Sequence, residues 1–173
     1  MTRPLIAYIT MVAAGGAAVL ALSLHSLQAL GWMQVAIWVL VSLLAESLWL
    51  STITGKAMES MASTVDLSLL VLLGFKPAVW IVAAAFALAN VFFSRRVWYK
   101  AVFNAGQNVL SLAAAGIVFE ALGGTPLVPG GGLPGLHGGA LIFPWTVATL
   151  VYFLTNTLLF RARWPSRRAA GFS

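Results

Sequence analysis

Cysteine is absent from this 173-residue chain, and ten Lys and Arg with four Asp and Glu hold charge to 8% of positions, against about a quarter in soluble domains. The first absence excludes thiol catalysis, cysteine-bound zinc, iron–sulfur clusters and a disulfide scaffold. The second excludes a soluble globular domain and a disordered tail, because neither can be built with so little polar surface. What is present instead is apolar: 61% hydrophobic residues and a mean hydropathy of +0.95. Lipid is therefore the expected solvent.

Chemistry-bearing patterns are equally sparse. The two histidines, His25 and His137, form no His-x-x-x-His or Glu-x-x-His pair, so no metal site is expected. Gly130–Gly132 lack the Gly-Lys-Ser/Thr of a phosphate loop, and no Gly-x-Ser-x-Gly elbow occurs. The acids Glu46, Glu59, Asp66 and Glu120 form no evident pair. These gaps favour a protein with no catalytic residues and no cofactor.

Six apolar segments organise residues 1–160 into a single helical membrane domain, followed by a basic tail at 161–173. The first, Leu5–Leu24, is 20 uncharged residues, about 30 Å as helix and enough to span a bilayer. It exceeds a signal-peptide core and no cleavage site follows, so it reads as a retained helix. Its small residues Ala14, Gly15 and Ala18 predict close helix packing. The second, Met33–Leu50, lies between Trp32 and Trp49, which mark interfaces. Glu46 sits about one turn inside its end.

Between 51 and 66 the chain turns polar, and Ser63 with Asp66 has the spacing of a capping box that would start a helix near Thr64. Lys76-Pro77 then interrupts the run. Two readings stay open: a third helix beginning near Lys56, or a hairpin of short helices over 64–93. The fifth run, Ala101–Leu122, carries Asn104, Gln107, Asn108 and Ser111 at offsets of 0, 3, 4 and 7, one helical face. Carboxamides facing lipid are costly. That face must meet other helices, with Asn90 and Asn156 as candidate partners, or a polar ligand. Residues 123–139 hold eight Gly and three Pro with no charge, an irregular loop. The last run is Ala140–Phe160.

A net charge of +6 would suggest nucleic acid in a soluble protein. Here the cations flank apolar runs, so they predict topology and contacts to anionic headgroups or to a partner. With Arg3 inside, Lys56, Arg95, Arg96, Lys100, Arg161, Arg163, Arg167 and Arg168 fall on the same side, leaving only Lys76 outside. The expectation is an all-α polytopic protein of about six crossings with both termini cytoplasmic. Its partners would be membrane lipids and a further membrane subunit or a second copy.

Several segments carry a likeness to a known family: Ala45-Glu46, Leu67-Ser68-Leu69-Leu70, Trp98 through Gln107 with its Phe-Asn-x-x-Gln, and Tyr152 through Thr157. Over about 39–159 the chain resembles the N-terminal multi-helix membrane region of bacterial signalling proteins whose output domains are HD-type phosphohydrolases or diguanylate cyclases. The resemblance implies the cytoplasmic membrane of a bacterium and a sensor-like module without its catalytic output. It transfers no ligand residues, and Lys76 occupies a turn usually uncharged in that family. The function expected is association, as a stand-alone sensor-like module or an accessory subunit. The alternative is a small substrate-binding component of a transporter for a polar solute, built on the amide stripe and the broken helix.

Overall fold

The computed structural model describes residues 3–47, 49–51, 58–60, 62–94, 98–127 and 138–163. The described residues are helical almost throughout. In order come α1 (Arg3–Ser23), a 3₁₀ segment (Leu24–Ala29), α2 (Trp32–Ser47), the strand pair β1 (Trp49–Ser51) and β2 (Met58–Ser60), α3 (Ala62–Leu73) and α4 (Phe75–Ala89). A π-helical turn (Asn90–Ser94), α5 (Trp98–Ala121) and α6 (Gly138–Arg163) complete it. The strands pair antiparallel with Leu50 opposite Glu59. Among the described residues four helices are long and apolar enough to cross a membrane: Arg3–Gln28, Phe75–Phe92, Trp98–Ala121 and Leu141–Ala162. The other two, α2 and α3, have 16 and 12 residues, or about 24 and 18 Å.

Side-chain contacts fix the helix directions. Tyr8 stacks near Phe103 with centroids 5.8 Å apart, and Gly16 and Gly15 lie against Gly106 and Leu110. Numbering rises together along both helices, so α1 and α5 are parallel. The Tyr8 hydroxyl donates to the Leu159 carbonyl at 2.7 Å, which makes α6 antiparallel to both. The starts of α1 and α5 and the end of α6 thus share one end of the bundle, the near end.

The 64–93 region is a hairpin of helices. Asp66 lies level with Tyr152, whereas Val71 accepts from the Leu127 N–H at 2.9 Å beyond the far end of α5. Going back, Phe75 meets Gly116 and the Trp80 indole donates to the Leu20 carbonyl at 3.1 Å. α3 therefore ascends and α4 descends. The reversal is at Gly74, not at Lys76-Pro77. Gly74 has φ +82°, a left-handed conformation open to glycine, and an added Cβ would stand 2.9 Å from Pro126. Pro77 is the third residue of α4, where a missing N–H costs no helical hydrogen bond.

Burial divides helices of similar hydropathy. In α4 and α5, 44% and 56% of the apolar window is inside the fold; in α1 and α6 the share is 17%. The centre is made by Leu69, Leu70, Ile81, Leu112, Phe119 and Tyr152. Closeness there depends on small residues. A Cβ on Gly16 would fall 2.8 Å from the Gly106 Cα, and one on Gly106 would fall 2.8 Å from the Val12 carbonyl oxygen. Of the small residues expected to pack, Gly15 touches Leu110, but Ala14 and Ala18 are exposed. The period of 3.6 groups Ile9, Val12 and Gly16 on the contact face and turns Ala14 and Ala18 away.

Candidate functional site

Polar side chains from four helices converge beside the core. α5 supplies Gln107 and Ser111, both buried. The Gln107 amide donates to the Asn156 carbonyl oxygen of α6 at 2.8 Å and to the Asn156 side-chain oxygen. Ser111 closes on its own helix, donating to the Gln107 carbonyl at 2.8 Å.

One turn back along α6, Tyr152 lies on the same face as Asn156, and the two side chains interact. The buried Tyr152 hydroxyl donates to Asp66 Oδ2 of α3 at 2.9 Å. Asp66 is 2% exposed, so that donor carries much of its solvation. Glu46, half-buried at the end of α2, is close enough to act electrostatically on both Asp66 and Tyr152. The sequence spacing that suggests Asp66 as a helix cap misreads it: its carboxylate faces α6. Local pattern cannot reveal a partner 86 positions away.

The other stripe residues contribute less. Asn104 and Asn108 are half-buried on α5. Asn90 stands apart from the network, its amide donating to the Phe86 carbonyl of its own helix at 2.8 Å. Among the described residues, three buried side-chain oxygens have no hydrogen-bond partner: Ser42, Asn90 and Thr149. Of the cations, Arg3, Lys100 and Arg161 are exposed at the near end. Arg163 closes α6. Arg95, Arg96, Arg167, Arg168 and Lys56 lie outside the described residues, as does His137. Among the described residues no group of three or more acids and histidines is placed to hold a metal ion.

Among the described residues, grooves open on the flanks. One, of about 380 Å³, lies between α3 and α6 and is lined by Val71, Leu72, Leu141, Ile142, Trp145 and Ser68. Another, of about 330 Å³, lies between α1 and the start of α5. Both are apolar, and neither is lined by Gln107, Asp66 or Asn156.

No protein-family model, characterised protein or solved structure matches this chain. The described residues define the class directly: a predominantly helical bundle with four helices of membrane-crossing length, stitched by a buried polar network.

Proposed function

We propose that this protein is a non-catalytic integral membrane protein that acts by association, as a sensor-like module or as an accessory subunit of a larger membrane complex. In this reading all six helices are inserted in the bacterial cytoplasmic membrane, with the near end and both termini cytoplasmic. The placement of Arg3, Lys100 and Arg161 at one end supports that orientation.

One observation carries the reading. The most polar face of α5 is spent on the fold itself, because Gln107 binds Asn156 while Tyr152 of the same α6 face binds Asp66. These bonds fix the mutual register of α3, α5 and α6 and leave the outward faces apolar. α2 shows such a face, with Met33, Ile37, Leu40 and Leu44 exposed at spacings of four, three and four, the seam spacing of paired helices. A solute-binding component instead needs convergent polar groups lining a pocket.

Single cysteines at Leu40, Leu22 and Phe153 test the reading against a background free of native thiols. Bifunctional thiol cross-linking in native membranes should give a discrete product at Leu40→Cys and monomer at positions facing only lipid. Equal, diffuse cross-linking at all three positions, together with saturable binding of a polar solute to the purified chain, would overturn it.

A further inference from the structure

Among the described acids, Asp66 alone is taken fully out of water: Glu46 is half-buried and Glu120 exposed. Its depth follows from its partner. Gln107 of α5 meets Asn156 of α6, and the two helices are antiparallel, so Tyr152 is level with Ser111, halfway along α5. The Tyr152 hydroxyl donates to Asp66 Oδ2, which places the carboxyl at mid-bundle.

The helices packed on α3 are α2, α4, α5 and α6. α6 brings Tyr152 and α2 brings the Glu46 carboxylate, within electrostatic reach. The cations stand elsewhere. Lys100 and Arg161 lie eleven and nine residues from the levels of Ser111 and Tyr152, about 16 and 14 Å along their helices. Lys76 follows the turn at Gly74, two helical turns above Asp66, and is exposed. Tyr99 and Glu120 occupy the end turns of α5. Among the described residues no cation faces Asp66. A charged Asp66 would thus have one neutral donor and one like charge as neighbours, an expensive arrangement at membrane depth.

The polar path to this carboxyl comes from the near end. β1 and β2 pair directly after α2 and before α3, so half-buried Glu46 stands where α2 ends and Asp66 one turn inside the start of α3. One turn before Glu46, on the same face of α2, Ser42 is 3% exposed and its hydroxyl has no partner among the described residues. Behind Asp66 the chain of hydrogen bonds runs on through Tyr152 and Asn156 to Gln107.

We propose that Asp66 is a proton-binding site at the centre of the bundle, loaded from the near end past Glu46. The proton comes from near-side water and forms an O–H bond on the carboxyl, which cancels its charge where no cation reaches. Intramembrane acids of this kind mark proton sites in membrane proteins. A divalent cation fits worse, because among the described residues no third acid or histidine joins Asp66 and Glu46. The site belongs to the bundle itself and needs no partner chain, so cross-linking at Leu40→Cys and titration at Asp66 succeed or fail separately.

Asp66 is the chain's only aspartate, so one label reports it. The full-length chain is made by cell-free synthesis with aspartate carrying ¹³C at the side-chain carboxyl, and is placed in phosphatidylcholine nanodiscs. At neutral pH its carbon resonance should stand at the position of a protonated carboxyl, and should move to the carboxylate position in one step as pH rises. Glu46→Gln should bring that step about one pH unit lower, since a like charge is removed. Tyr152→Phe should move it about as far the other way, since the charged form loses its donor. Helix content and monodispersity confirm folding of each variant. A carboxylate resonance already present at neutral pH would overturn the proposal, as would a step unmoved in Glu46→Gln. A resonance that follows sodium concentration at fixed pH would overturn it as well.

Discussion

The Tyr152 hydroxyl donates to Asp66 Oδ2 at 2.9 Å, joining α6 to a helix 86 positions earlier in the chain. Both groups are almost wholly buried, so neither has water to replace the other. Tyr152→Phe should lower unfolding stability by about 1–3 kcal/mol, because the carboxyl loses a donor while staying buried. Asp66→Asn keeps an acceptor oxygen and should cost less than Asp66→Leu. Denaturant titration in mixed micelles measures the order; equal stability of Tyr152→Phe and the parent would remove this bond as a structural element.

The amide pair is expected to be weaker. Hydrogen bonds between helices in a bilayer are worth on average about 0.6 kcal/mol, with a maximum near 1.7. Gln107→Leu and Asn156→Leu should each destabilise within that range, and a double-mutant cycle should return a coupling of similar size. Asn104→Leu and Asn108→Leu should have smaller effects than Gln107→Leu. Stability unchanged in all four variants would show that the α5 stripe does not hold the bundle together.

Small residues set the spacing of α1 and α5. Gly106→Ala places a Cβ 2.8 Å from the Val12 carbonyl, a backbone atom that moves only with its helix. Overpacking of this kind costs about 1–3 kcal/mol. Ala14→Leu and Ala18→Leu add larger groups on the exposed face of the same helix and should leave stability unchanged. Thermal unfolding in detergent separates the two cases, and the reverse order would mean that α1 contacts the bundle through its other face.

Helix direction predicts sidedness. Ser26 and Leu122 lie at the far end of the bundle, while Lys100 and Arg161 lie at the near end. In the cysteine-free chain, Ser26→Cys and Leu122→Cys should react with an impermeant maleimide on intact cells. Lys100→Cys and Arg161→Cys should react only after lysis. Labelling of Ser26→Cys and Arg161→Cys from the same side would break the proposed orientation.

Much of the architecture was legible from composition. Runs of about 20 apolar residues must be helical in lipid, where every backbone polar group needs an internal partner. The face of α5 carrying Gln107 was equally legible, because carboxamides stand out against alanine and leucine, and Asn156 was a reasonable partner for the same reason. Asn90 looked similar and bonds within its own helix. The reversal at Gly74 was harder to see than Pro77, since a proline is conspicuous in sequence but harmless in the first turn of a helix.

The amino-acid sequence by itself determined that this chain is apolar and helical, and that its cations cluster where helices end. Only the tertiary structure decided which apolar helices form the centre, where α3 turns back, and that Asp66 meets Tyr152. Residues that face lipid and residues that face the core are equally apolar, so hydropathy cannot sort them. Steric fit does: α1 approaches α5 where Gly16 meets Gly106, and polar side chains pair wherever that fit brings them within reach.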